Sequence, residues 1–288
     1  MNEKVFDPEE FKKQQQKAWD MMAKGWEKWW PLFEKYGSDI SKTMIKKAEI
    51  NAGDRVLDLA TGIGEPAITA AATVGPKGYV LATDISESMV TIANERIKKE
   101  GLKNIKIKKS DIAKLDVTAE EPFDAVLCRL GIMLIPGLEE VSKKIYESLK
   151  EEGSFVATVF PDPPRAPVVG HAAMTIQSVL KPPKSPENVP GIFSLADPTL
   201  LLEKLKEAGF KEVETETVSH TFVYKDGKEF RDFTRDTTPP INLTIKDVSN
   251  EKVEEIWRKV AETAQEKFGK EDGTLEVAND IIYIKAKK

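Results

Sequence analysis

A chain of 288 residues, 40% hydrophobic and 32% charged, holds core material for one large or two modest globular domains. Its net charge of -5 argues against a general nucleic-acid binder, and its single cysteine, Cys128, excludes an internal disulfide framework. No apolar run approaches the roughly 20 residues that span a bilayer and the polar N-terminus is no signal peptide, so the expected compartment is the cytoplasm.

Residues 7–36 predict a helix with a face of large rings: Trp19, Met22, Trp26, Trp29, Trp30 and Phe33 recur at three- and four-residue steps. That face is read as packing on the main domain and as a lid over a hydrophobic ligand, with Pro31 kinking or splitting the helix. A second amphipathic helix is expected from Ser38 to Ile50. Strand and helix then alternate. Strands are predicted at 55–59, 79–83, 104–109, 123–128 and 154–160, with helices at 65–74, 86–100 and 138–150 between them. Ser86 is the expected N-cap of the second of these helices and Gly101 its terminator.

At Pro161 the alternation breaks. Pro161, Pro163, Pro164, Pro167, Pro182, Pro183, Pro186 and Pro190 bracket one helix, Val169 to Leu180. A helix begun at Asp197-Pro198 and ended at Ala208-Gly209, a strand at 212–223, a helical insertion at 228–270 and a last strand at 277–285 complete the chain. The expected fold is α/β: a Rossmann-like, doubly wound, seven-stranded sheet, mostly parallel with the last strand antiparallel. Its divisions are an N-terminal helical lid (1–36), the core (37–160), a substrate cap (161–196), core again (197–223), a second helical cap (224–272) and the last core strand (273–288).

The centre of this pattern is the passage from the first strand into Gly62-x-Gly64-x-x-Ala67. Three readings compete there. The spacing formally matches the dinucleotide turn that seats a pyrophosphate on a helix N-terminus. Asp58 before the turn and Glu65 inside it favour instead a ligand with a cationic group. A tight turn with no ligand is the third. Other strand ends narrow the choice. Asp84 closes the second strand, 26 residues after Asp58, where a carboxylate can take both hydroxyls of a ribose. Asp111-Ile112 closes the third, with an acid for an adenine amino group and an apolar cover for the ring. Arg129 and Leu130 close the fourth.

Taken together, Val-Leu-Asp-Leu-Ala-Thr-Gly-Ile-Gly-Glu-Pro-Ala (56–67), Ala-Thr-Asp-Ile-Ser-Glu-Ser-Met (82–89), Lys-Ser-Asp-Ile (109–112) and Phe-Asp-Ala-Val-Leu (123–127) resemble the UbiE-like branch of the class I S-adenosylmethionine (SAM) methyltransferases. The resemblance covers roughly 40–160 and, more loosely, 197–223. It implies SAM as cofactor and S-adenosyl-L-homocysteine as its product. It sets Asp58, Ala60, Thr61, Gly62 and Gly64 by the amino acid portion, Asp84 at the ribose, Ile85 and Met89 on the adenine, and Asp111 and Ile112 at its edge. Thr61 stands where many relatives have cysteine or glycine. The fourth strand lacks the Asn/Asp-Pro-Pro-Tyr signature of methyltransferases that act on nucleic-acid amino groups.

Methyl transfer from a sulfonium needs alignment above all, and a base only where the acceptor must lose a proton. His171, in the first insertion, is the candidate base. Arg129 can neutralise the cofactor carboxylate or a substrate anion. Trp26, Trp30, Phe160, Met174 and Phe193 are the expected acceptor pocket, apolar enough for an aromatic or isoprenoid-like small molecule. No spacing suggests a metal site. The leading expectation is a SAM-dependent methyltransferase acting on a small molecule by in-line displacement, without nucleic acid or an integral membrane segment. A silent SAM-binding scaffold and an NAD(P)-dependent oxidoreductase are the alternatives.

Overall fold

The computed structural model describes residues 6–116, 120–181, 189–245 and 247–288, without the side chains of 240 and 243. The predicted breakers Pro182, Pro183 and Pro186 lie outside the described residues. The chain opens with one helix, α1 (Pro8–Lys47), capped by Asp7, which accepts from the Glu9 and Glu10 amides. The alternating part follows: β1 (Arg55–Leu59), α2 (Ala67–Val74), β2 (Tyr79–Asp84), α3 (Glu87–Glu100), β3 (Ile105–Lys109), β4 (Phe123–Arg129), α4 (Leu138–Ser148) and β5 (Leu149–Val159). The later elements are α5 (Pro167–Leu180), α6 (Thr199–Ala208), β6 (Lys211–Tyr224), α7 (Gly227–Thr237), α8 (Pro239–Thr244), α9 (Asn250–Phe268) and β7 (Leu275–Lys287).

The seven strands form one sheet in the order β3-β2-β1-β4-β5-β7-β6. β1 to β5 pair in parallel, and β7 runs antiparallel to both β5 and β6. The central strands are apolar on both faces, as a sheet covered on both sides requires: Val56, Leu57, Val80, Val126, Leu127, Phe155 and Val156 are all buried. α3 starts as predicted, with the Ser86 hydroxyl accepting from the Met89 amide, and stops at Gly101 in the left-handed region.

Two boundaries differ from the sequence reading. α2 begins at Ala67 rather than 65, because Pro66 takes the cap position. More consequentially, α1 is continuous through Pro31, where a kink or split was expected, and the two predicted helices are one of 40 residues. An interior proline costs a helix about 3 kcal/mol. Packing offsets it: Trp29 and Phe33, either side of Pro31, lie against Phe233 with ring centroids 5.8 and 5.0 Å away. α1 also crosses α7 at very short range, since a Cβ on Gly25 would stand 2.0 Å from the Asp236 carbonyl oxygen. No helix among the described residues is long and apolar enough to cross a membrane.

Candidate functional site

The strand order turns around between β1 and β4, and the crevice of an open α/β sheet lies at such a point, beyond the carboxyl ends of the strands. The residues directly after the two strands, Ala60 and Leu130, both hold left-handed backbone, with φ of 55° and 54°. For non-glycine residues that costs roughly 1–2 kcal/mol each, so the surroundings must enforce it. Gly131 shows how: a Cβ there would lie 2.7 Å from the Cβ of Ala60, so the two turns are packed directly on each other.

Gly62 (φ 58°) faces open space, where an added Cβ would meet no atom within 4 Å, and its amide donates to Asp84 Oδ2 at 2.8 Å. Gly64 (φ 104°) lies behind the turn: a Cβ would come within 2.9 Å of Ile68 Cδ1, so this glycine serves packing and does not reach the cavity wall. Asp58 is likewise buried beneath the turn, with Oδ2 accepting from the Ala67 amide at 3.1 Å. Its Oδ1, with Thr61 Oγ1 and Gln15 Oε1, belongs to the few buried polar atoms among the described residues that have no hydrogen-bond partner. Burial pushes the Asp58 carboxyl up to about 8, against the opposing pull of the Thr61 hydroxyl and the Arg129 charge. Asp84 is pushed up to about 6 by burial, with the Ser86 and Gly62 amides pulling it back.

One cavity runs along these strand ends, enclosing about 1620 Å³ when its open mouth is counted. Ala60, Thr61, Gly62, Asp84, Ile85 and Met89 line its first part, with Asp111, Ile112, Arg129 and Leu130. Arg129 donates through Nη1 to Ser41 Oγ at 3.2 Å, and no carboxylate among the described residues comes within 4 Å of it. Glu65 also faces the cavity, held by Thr69 Oγ1 at 2.6 Å and by Arg96 at 3.7 Å. A half-buried guanidinium with no ion-pair partner within 4 Å among the described residues, on one wall with the Glu65 and Asp84 carboxyls, can bind a ligand that carries charges of both signs. The Thr61 hydroxyl, the Arg129 guanidinium and the open ground at Gly62 fit the amino acid portion of SAM.

α1 forms the roof. Lys12, Trp19, Trp26, Phe33 and Ile40, each seven residues after the last, all line the cavity, and Gln15 joins them. Seven residues are nearly two turns, so one stripe of the helix stays over the site for about 42 Å. At one end Lys12 bonds to Asp111 Oδ2 at 2.7 Å and pairs with Glu9. Further along, Asp20 accepts from Ser86 Oγ at 2.6 Å and from the Ser88 amide at 3.1 Å. At the other end Trp26 stacks on Phe33 at 4.5 Å and donates its Nε1–H to the Thr237 carbonyl at 3.0 Å. Phe222, Phe233 and Ile281 close this end.

The acceptor-pocket residues divide. Trp26 and Phe160 line the cavity. Trp30 does not: it stacks beneath Arg96, 3.6 Å from the ring centroid, and packs with Ala23, Ile63, Met89 and Ile92. Phe193 packs behind Phe160 at 6.4 Å, leaving Ile192 on the wall, and Met174 on α5 does not reach the cavity. His171 is also withdrawn from the site. Its Nε2 meets Thr263 Oγ1 at 2.9 Å, its ring lies edge-on to Phe230 and Phe268, and burial lowers it to about 4. It is a packed core histidine and does not line the cavity. His220 is bound to the Tyr283 hydroxyl at 2.8 Å.

With the geometry in hand, similarity to known proteins is informative. Residues 50–162 match a family model described as a methyltransferase domain. A demethylmenaquinone methyltransferase of Lactobacillus johnsonii is 36% identical over 113 residues, 39% of this chain and 46% of that protein. The ubiquinone/menaquinone biosynthesis C-methyltransferase UbiE of Pseudomonas putida is 29% identical over 145 residues, 50% and 52% of the two chains. The chain thus spans about half the length of these curated relatives. Among solved structures, the YcgJ protein of Bacillus subtilis superposes with a TM-score of 0.54 at 18% identity, covering 86% of this chain and 97% of that one. The [4+2]-cyclase SpnF does so at 0.52 and 18%, covering 87% and 80%. These likenesses confirm the Rossmann-like fold, and the range of names shows that the fold alone does not set the reaction.

Proposed function

We propose that this chain, which carries a methyltransferase domain of the UbiE-like class I branch, binds SAM along its strand ends and methylates a small apolar or aromatic acceptor. The observation that carries this reading is the continuity of one cavity, from Asp84 and Asp111 past Arg129 to the rings of Trp26, Phe33 and Phe233. Transfer in line requires donor and acceptor in one enclosed space, and their alignment supplies most of the rate. When bound, SAM supplies a methyl group on a sulfonium that departs as a neutral thioether.

The chain's own residues do the rest. Asp84 takes the ribose hydroxyls, Ile85, Met89 and Ile112 enclose the adenine, and Asp111 exchanges the Lys12 ammonium for the adenine amino group. Arg129 holds the carboxylate of the cofactor. Among the described residues that line the aromatic end none is a histidine, lysine or carboxylate, which supports transfer by alignment to an acceptor that needs no base from these residues. The names of the curated relatives add quinone-type rings to the acceptors worth screening. Glu65, on the cavity wall at the turn, weighs against the pyrophosphate of a nicotinamide dinucleotide. We read the protein as cytoplasmic and as acting on a small molecule, in keeping with its charge of -5 and its buried, unpaired Cys128.

Calorimetric titration with SAM, S-adenosyl-L-homocysteine and NAD tests the reading. The expected result is binding of the first two alone, weakened about tenfold or more in Asp84→Asn, which loses the charge facing the ribose. Binding of NAD alone, or silence from all three, overturns it.

A further inference from the structure

The aromatic end of the cavity contains a carboxamide whose orientation is fixed, that of Asn279. Asn279 lies on β7 two residues before Ile281, so both project from the same face of the strand. Both line the cavity. Only 1% of Asn279 is exposed, on a wall that includes Ile281, Phe222, Phe233 and Val168 with Thr237 and Thr238. A buried carboxamide needs partners for an acceptor oxygen and for two N–H donors. The oxygen is satisfied: Asn279 Oδ1 accepts from the Val168 amide at 3.0 Å, one of the free donors in the first turn of α5. That bond settles which way the amide faces. The nitrogen is not. Among the described residues Nδ2 meets one acceptor, the Asp280 carbonyl at a long 3.4 Å, and a second N–H is left over.

We propose that Asn279 is the specificity-determining residue for the methyl acceptor, its Nδ2–H donating to an uncharged oxygen of that molecule. The acceptor is therefore an apolar ring system bearing a carbonyl or ether-type oxygen, in place of a plain hydrocarbon. Among the described residues none of those beside Asn279 is a cation, so the site favours an uncharged oxygen over a carboxylate or phosphate. The inference rests on the reading of the cavity as a joint cofactor and acceptor site. A site built to donate a hydrogen bond discriminates because an analogue lacking the oxygen leaves the buried donor unpaired.

The test uses the full chain saturated with S-adenosyl-L-homocysteine and two probes of equal shape, 2-acetylnaphthalene and 2-isopropylnaphthalene, titrated by calorimetry. The expected preference for the ketone is about tenfold. Asn279→Asp keeps an oxygen for the Val168 amide and, titrated at a pH where its carboxyl is ionised, removes the donor, so the preference should vanish while affinity for S-adenosyl-L-homocysteine stays. A second measurement needs no variant. The Asn279 side-chain amide resonances of ¹⁵N-labelled protein should move on adding the ketone and not on adding the hydrocarbon. Equal binding of the two probes, binding of neither, a preference that survives Asn279→Asp, or amide resonances indifferent to the ketone would each overturn the proposal. Failure to bind S-adenosyl-L-homocysteine is a separate outcome that overturns the cofactor reading beneath it.

Discussion

Asp58 and Asp84 owe their raised carboxyls, at the strand-end part of the cavity and beneath it, to burial. Each carboxyl is raised, to about 8 and about 6, so across the intervening pH range the folded chain holds protons that the unfolded chain has released. With more protons bound in the native state, stability falls as pH rises. The melting temperature of the ligand-free protein should therefore decline between about pH 4 and 8. Asp58→Asn, neutral throughout, should flatten the upper part of that decline in a thermal melt series. An unchanged slope would contradict the assignment. Both acids were legible in the sequence as strand-end residues, because the parallel alternation dictates where strands end. Their roles were not equally legible. Nothing in the spacing told that Asp58 and Gly64 would sit behind the turn while Thr61 and Gly62 faced the cavity. His171 failed for a similar reason: its insertion is near the mouth in sequence, yet the ring belongs to the packing between α5, α7 and α9.

Among the elements, α1 departs furthest from its sequence reading. The three- and four-residue aromatic steps gave its apolar face, and Pro31 argued for a break. The seven-residue step from Lys12 to Ile40 was present all along. It crosses Pro31 and Gly37 without losing phase, which only a continuous helix allows. That stripe also holds Lys12, Gln15 and Trp19, which composition marks as surface or packing residues, over the strand-end part of the cavity. α1 is seated by its crossing with α7, where Gly25 leaves no room for a side chain and Lys28 and Trp29 both bind Asp236, at 2.7 and 2.9 Å. Gly25→Val should push the helices apart at a cost of about 1–3 kcal/mol and weaken SAM binding with it. Differential scanning calorimetry with and without SAM checks this, and a variant with wild-type affinity would show that the roof is dispensable. Residues of the late elements, such as Phe222, Phe233 and Asn279, could not be placed from sequence. They reach the site only through the antiparallel return of β7 between β5 and β6.

At the scale of the molecule, a sheet common to many reactions has been given one particular chamber. The part from β1 to β5 supplies the strand ends and matches the methyltransferase domain over 50–162. What surrounds it, α1 and the elements after β5, supplies the aromatic end. The sheet order and parallel pairing follow from the alternation of short apolar runs with capped helices, so the fold was readable in outline. The chamber depends on contacts between segments some 200 residues apart, such as Trp26 with Thr237, which no local pattern encodes. The most direct test is the crystal structure of the protein with S-adenosyl-L-homocysteine. The expected complex has the adenine between Ile85, Met89 and Ile112, the ribose on Asp84, the carboxylate toward Arg129 and the sulfur facing the chamber walled by Trp26 and Phe33. A ligand bound elsewhere, or one whose sulfur faces away from that chamber, would contradict it.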